Sequence, residues 1–180
     1  MNFANPEKNV EALGLTPGMA VADFGSGSGQ YSLFLARAVG ASGRVYAIDV
    51  QKDLLARLAD VARDNKIRNI ECLWGDLERP GGSKLAKESV AAVVVSNLLF
   101  QVDNQEAIAK EVSRVLTIGG KVLIVDWRDS FGNLGPNPSQ IVKLETAKQI
   151  FIDNGFSLVR EFSAGEHHYG LILEKIKNLD

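Results

Sequence analysis

Cysteine is almost absent from this chain. Cys72 is the only one in 180 residues, so no internal disulfide can form, and its apolar surroundings read as those of a buried structural thiol. Histidine is nearly as scarce, with His167 and His168 adjacent. No stretch approaches the roughly 18 uninterrupted apolar residues of a membrane span. The opening Met1-Asn2-Phe3-Ala4-Asn5-Pro6 has neither the basic nor the apolar region of a secretory signal. An excess of one charge is missing too: 20 Lys and Arg against 22 Asp and Glu leave a net charge of -2. That balance gives no global pull toward nucleic acid or anionic membrane, although it leaves a local basic patch open. These lacks describe a cytoplasmic protein without disulfides or membrane association. Internal repeats and low-complexity segments are absent as well.

What is present is an ordinary globular composition, 46% hydrophobic and 23% charged, on a length that suits a single domain over 1–180. Short apolar runs read as strands at 19–24, 44–49, 70–74, 90–95 and 121–126. Helical spacing falls between them, from Gln30 to Val39, around Leu54 to Ala62, and from Gln105 to Leu116 with Gly119-Gly120 as the stop. A further helix runs from Leu144 to about Asn154. Two strands, 157–164 and 168–176, are joined too closely to be anything but antiparallel. Asn5-Pro6-Glu7 reads as a helix start. Residues 1–15, with Phe3 and the 5–13 helix, are read either as a lid or as a simple packing helix. The alternation implies an α/β fold: a doubly wound, Rossmann-like, seven-stranded and mostly parallel sheet with an antiparallel C-terminal hairpin strand, and helices on both faces. Ligands of such sheets bind at the carboxyl ends of the strands.

The first of those ends carries Asp23-Phe24-Gly25-Ser26-Gly27-Ser28-Gly29. Glycines between a strand and a helix let the backbone turn tightly and approach a ligand with no side chain between. The dinucleotide fingerprint G-x-G-x-x-G is not met, since its last position falls on Gln30 or on Ser32. A phosphate-binding loop would need Lys after its last glycine, and no Lys or Arg lies between Met19 and Ala36. Asp23, two residues before the first glycine, repels a pyrophosphate and attracts a cation. That charge pattern favours S-adenosyl-L-methionine, which carries an ammonium and a sulfonium and no phosphate. Asp49 ends the second strand, where a carboxylate can accept from both hydroxyls of an adenosine ribose; capping of the following helix is the other reading. Asp76, in Gly75-Asp76-Leu77, could meet an adenine amino group.

Taken in order, these residues resemble the class I S-adenosylmethionine-dependent methyltransferase family. Val21 to Gly29 is similar to its first motif, and Val45 to Asp49 to its second-strand motif. Gly75-Asp76-Leu77 resembles its adenine motif, Val93 to Leu99 its fourth-strand motif, and Arg114 to Lys121 the segment before strand five. Within the family the chain resembles the ubiquinone/menaquinone-biosynthesis-type and arsenite-type branch. The resemblance implies that Asp23 and the backbone of Gly25, Gly27 and Gly29 hold the methionine part and that Asp49 binds the ribose, with Phe24, Ser26 and Val50 also cofactor-binding. It implies Gly75, Asp76 and Leu77 around adenine, and Ser96 and Asn97 near the transferable methyl. Asn-Pro-Pro-Tyr is missing from the fourth motif, so nothing points to a DNA methylase.

Acceptor-side candidates are Gln101, Asp126, Trp127 and Arg128, with Asn97, His168 and Tyr169 as catalytic candidates. In a strand His168 faces away from His167 and Tyr169, which argues against a shared metal, and no metal is expected. Trp127 reads equally as an acceptor wall or a core residue. The expected acceptor is a small molecule, with RNA or protein left open, and the expected state is monomer or homodimer. A non-catalytic adenosine-nucleoside-binding module and an NAD-dependent oxidoreductase are the competing readings; the broken fingerprint and Asp23 count against the latter.

Overall fold

The computed structural model describes residues 4–130 and 135–178. Phe3, named in the sequence reading, lies outside that range. The described residues run in the order α1 (Pro6–Glu11), β1 (Ala20–Phe24), α2 (Gln30–Val39), β2 (Arg44–Asp49), α3 (Lys52–Asp64), β3 (Ile70–Trp74) and β4 (Val90–Ser96). Then follow α4 (Gln105–Val115), β5 (Leu116–Trp127), α5 (Leu144–Asp153), β6 (Phe156–Ser163) and β7 (His168–Lys175). Single 3-10 turns at Leu99–Gln101 and Pro138–Gln140 were not visible in the sequence pattern.

The strands form one seven-stranded sheet in the order β3-β2-β1-β4-β5-β7-β6. β1 to β5 are mutually parallel, and β7 runs antiparallel between β5 and β6. This is the doubly wound sheet with an antiparallel hairpin strand that the sequence pattern implies. Alternate residues of each central strand feed cores on opposite faces. Ala22, Phe24, Val93, Val95, Val122, Ile124, Tyr169 and Leu171 pack with α4 and α5, whereas Val21, Ala92, Val94, Leu123, Val125 and Ile172 pack with α1 and α2. Burial on both faces explains why β4 reads as a continuous apolar run.

Two details differ from the sequence reading. The helix before β5 ends at Val115, not at the glycine pair, because Leu116 is already extended, fully buried and paired with Val90. The register then slips before Ala92 meets Lys121, and Gly119, at φ +77, lies in the excess loop of chain. Cys72 is half-buried, not buried, because β3 is an edge strand with no neighbour on its outer side.

The chain order reverses between β1 and β4, which are adjacent. Crossovers leave that point in opposite directions, so a crevice opens there beyond the carboxyl ends of the strands. The glycine turn after β1 stands on one side of it and Ser96-Asn97 on the other.

Candidate active site

A cavity of about 440 Å³ occupies this crevice. Its walls come from the first glycine turn, the ends of β2 and β4, and the loop after β3. The volume falls within the roughly 300–1,000 Å³ of small-ligand sites.

The glycine turn is shaped by three different constraints. A Cβ on Gly25 would stand 2.9 Å from Leu98 Cδ1, and one on Gly29 only 2.1 Å from Leu58 Cδ1. Those two glycines are needed for packing. Gly27 has φ +53, yet a Cβ there would meet nothing within 4 Å. The space left in front of it belongs to the cavity, as expected where a ligand approaches the backbone. Gly27 N also donates to Asp49 Oδ2 at 2.8 Å, while Gln51 N donates to Asp49 Oδ1 at 2.8 Å. The acid at the end of β2 therefore fixes the turn after β1 and the start of α3 together. Asp49 is not the helix cap that the alternative reading expected, since the N-cap of α3 is Gln51 without a side-chain cap bond; each Asp49 oxygen keeps a lone pair.

Asp23 is 2% exposed and accepts from Ser32 Oγ at 2.6 Å. Burial pushes its carboxyl up to about 6, more than the Ser32 hydrogen bonds can offset. No basic side chain among the described residues lines the cavity. A buried acid left without a counter-charge suits a cationic ligand. Beside it, Ser26 Oγ and Asn97 Oδ1 are buried and find no hydrogen-bond partner among the described residues. Asn97 is held at φ +51, a conformation that L residues rarely adopt. Orphaned polar atoms and strain on one cavity wall are consistent with groups that await a ligand.

The opposite end is closed by the loop after β3. A Cβ on Gly75 would stand 2.1 Å from Gly82 O, and one on Gly82 only 1.7 Å from Asp76 O, so this loop folds back on its own backbone. Asp76 Oδ1 accepts from Glu78 N and Oδ2 from Arg79 Nε. Glu111 anchors the loop from behind. It accepts from Gly81 N, Ser83 N, Ser83 Oγ and Arg114, which hold its carboxyl down at about 2 despite burial.

Most of the residues named from the sequence meet here. Asp23, Gly25, Ser26, Gly27, Asp49, Val50, Gly75, Asp76, Leu77, Ser96, Asn97 and Gln101 all line the cavity. Seven do not. Phe24 is wholly buried in the core, and Gly29 caps α2 against Leu58. Asp126 is buried; its oxygens accept from Leu99 N and Trp127 N, so it holds the 3-10 turn after β4. Trp127 packs against His168 with ring centroids 4.2 Å apart and planes tilted by 41°, and Arg128 is exposed. Tyr169 packs in the core and its hydroxyl donates to Val142 O at 3.0 Å. His168 is 2% exposed, and neither ring nitrogen has a partner among the described residues. As the alternation predicts, it faces away from Tyr169. The described residues hold no cluster of His, Cys, Asp and Glu fit for a metal ion.

Several lining residues were not singled out in advance: Ser28, Gln30, Tyr31, Gln51, Leu54, Glu78, Leu98 and Val102. Their common signal is position, since each sits within a few residues of a nominated strand end.

Comparison with known proteins decides the family. A family model described as a methyltransferase domain matches residues 15–175. The chain belongs to that family. A solved S-adenosylmethionine-dependent methyltransferase from Aquifex aeolicus is 25% identical, with a TM-score of 0.86 over 96% of this chain and 90% of that one. The arsenite methyltransferase of Halobacterium salinarum is 29% identical over 112 residues, 62% of this chain and 28% of that protein. The demethylmenaquinone methyltransferase of Lactococcus lactis is 26% identical over 119 residues, 66% of this chain and 46% of that protein. The chain thus spans less than half the length of these curated relatives. S-adenosylmethionine is the cofactor of the family, and the buried unpaired acid, the open face of Gly27 and the orphaned Ser26 and Asn97 oxygens fit it. No helix among the described residues is long and apolar enough to cross a membrane.

Proposed function

We propose that this chain transfers a methyl group from S-adenosylmethionine to a small-molecule acceptor by direct displacement. The observation that carries the reading is the pairing of a buried cation-seeking acid, Asp23, with the Gly27–Asp49 link 22 residues apart. In this reading the Asp49 oxygens hold the ribose hydroxyls, and the loop from Gly75 to Leu77 borders the adenine. When bound, the cofactor supplies a sulfonium-bound methyl whose C–S bonding pair stays on sulfur as an acceptor lone pair takes the carbon. The protein's part is alignment and water exclusion. Asn97 Oδ1 offers a fixed acceptor to a donor group at that end, and Gln101, whose amide donates to Asn97 O, holds the same segment in place. Names such as arsenite and demethylmenaquinone methyltransferase among the relatives support a small acceptor. Cytoplasmic operation, as monomer or homodimer, belongs to the same proposal.

Thermal stabilisation tests the donor. S-adenosylmethionine and S-adenosylhomocysteine, each at about 100 times its Kd, should each add about 2.7 kcal/mol. Stabilisation by NADH alone would overturn the reading. A screen with labelled donor against metabolites, quinone precursors and RNA then tests the acceptor. Transfer to RNA alone refutes the small-molecule assignment, and tight donor binding with no product anywhere favours a binding module.

A further inference from the structure

A second recess, of about 340 Å³, opens outside the crevice, between α1 and the end of β6. It shares no lining residue with the cofactor cavity. Asn9 lines the recess and donates to Tyr31 Oη in the cavity wall at 2.9 Å, so the two spaces are neighbours through one side-chain pair. Two cationic side chains line the recess, Lys8 from α1 and Arg160 from β6, and no Asp or Glu among the described residues does. Neither cation forms an ion pair with a described residue. Asn5, at the same rim, accepts from Lys8 N with Oδ1, which leaves its NH₂ as a further donor.

Arg160 reaches the recess against simple strand alternation. Leu158 pairs with Leu173, which packs with α4 and α5, so a residue two further on should face the same helices. The register shifts between them, and Arg160 pairs with Ile172, which packs with α1 and α2. One extra residue in this edge strand thus re-aims the guanidinium to the α1 side, as a bulge does. Glu161 then faces α5, where Lys148 Nζ donates to it at 2.7 Å. Phe162 supplies a platform, with Arg160 over its ring at 5.4 Å. The ring in turn lies across Gly170, where a Cβ would stand 2.4 Å from Phe162 Cζ. The bulge, the ring and the glycine together hold in place a cation that has no counter-charge. A phosphate can give the guanidinium fork and the ammonium an oxygen each, and it carries the second charge that a carboxylate lacks. We propose that the recess between α1 and β6 binds a phosphate group, held by Arg160 and Lys8. This site goes beyond methyl transfer and does not rest on the donor reading.

Calorimetric titration with inorganic phosphate and with acetate, at constant ionic strength in chloride, tests it. The wild type should bind phosphate saturably and acetate at least about tenfold more weakly. Lys8→Gln and Arg160→Gln should each lower phosphate affinity roughly tenfold. Arg160→Lys keeps the charge without the fork and should recover only part of that loss. Lys110→Gln removes a cation from α4 instead and should change affinity less than about twofold. All three side chains are exposed, so these substitutions leave the core intact. Phenyl phosphate separates the sources: an ester that binds at least as tightly assigns the site to a phosphate carried on a small molecule, and tighter inorganic phosphate assigns it to the free ion. A wild type without saturable phosphate binding, acetate as tight as phosphate, or an equal loss in Lys110→Gln overturns the site, and none of these results touches the donor reading.

Discussion

The buried acid of the first motif makes a measurable demand on pH. Asp23 titrates at about 6 in the free protein, against 3.8 for an ordinary aspartate, because burial penalises its charged form. A cationic ligand needs that charged form. The ionised fraction is about 0.9 at pH 7 and about 0.1 at pH 5, so apparent affinity for S-adenosylmethionine should fall roughly tenfold, about 1.4 kcal/mol, between them. At pH 6 binding should expel close to half a proton, visible as a calorimetric heat that depends on the buffer's ionisation enthalpy. Asp126 also titrates at about 6, but it does not line the cavity, so Asp126→Asn should keep the slope. Asp23→Asn should lose affinity at pH 7 and show no slope. A wild-type Kd that stays constant from pH 5 to 7, or an Asp23→Asn variant that retains the dependence, would refute the reasoning.

The same shift has a stability counterpart of opposite benefit. The native pKa lies above the unfolded one, so the native state holds the extra proton between pH 4 and 6. Stability at this site therefore falls as pH rises through that window, by about 3 kcal/mol for a shift from 3.8 to about 6. Above pH 6 the free protein bears the whole penalty, which a bound ammonium offsets. Asp23→Asn should accordingly raise the melting temperature of the ligand-free protein near pH 7 while weakening cofactor binding, an exchange of stability for function.

Three further outcomes follow from the geometry. Asp49→Ala removes the acceptor shared by Gly27 N and Gln51 N, so cofactor affinity should drop roughly ten- to a hundredfold by calorimetry; unchanged affinity removes Asp49 from the site. Gly27→Ala and Gly29→Ala should separate binding from folding. The first costs about 1–2 kcal/mol of backbone strain and blocks the ligand, whereas the second also drives a Cβ into Leu58 and should unfold at lower denaturant than the first. His168→Leu removes two buried ring nitrogens with no partner among the described residues and should stabilise the protein by about 1–3 kcal/mol in urea titration, with cofactor affinity unchanged. Lower turnover in that variant would return His168 to the catalytic role its sequence position suggests.

The fold was legible because each central strand is buried on both faces and each break is marked. Val90 to Val95 could be nothing but a covered strand, and Gln30–Val39 follows a glycine that cannot continue a strand. The cofactor side was legible for a related reason: a parallel strand's last residue has one place to point, so Asp23, Asp49 and Ser96 were located by finding strand ends. What escaped was whatever depends on contact between elements distant in sequence. Tyr31 carries no signal of its own beyond helical spacing, yet it lines the cavity and its hydroxyl accepts from Asn9, 22 residues earlier. Glu111 was not singled out from the sequence, because only the loop from Gly81 to Ser83 folding over it buries and pairs its carboxylate. The β5 boundary escaped because Leu116 is apolar in helix and strand alike, and its pairing with Val90 decides between them.

The acceptor side differs in kind from the cofactor side. Its nominated acids and bases are occupied elsewhere: Tyr169 bonds Val142 O, Asp126 holds Leu99 N, and His168 packs at a tilt against Trp127 and does not line the cavity. What the cavity itself offers near Ser96 is an unpaired amide oxygen, hydroxyls and aliphatic surface from Leu98 and Val102. Such a wall can orient a nucleophile but does little to deprotonate one, since the proposed function assigns Asp23 to the donor's charge. Displacement at a sulfonium carbon tolerates this when the acceptor already carries an available lone pair or an ionised carbon, oxygen or sulfur at working pH. Under the proposed function, such an arrangement selects acceptors by their own reactivity and by fit beside Asn97, with the protein's contribution in alignment more than in proton transfer.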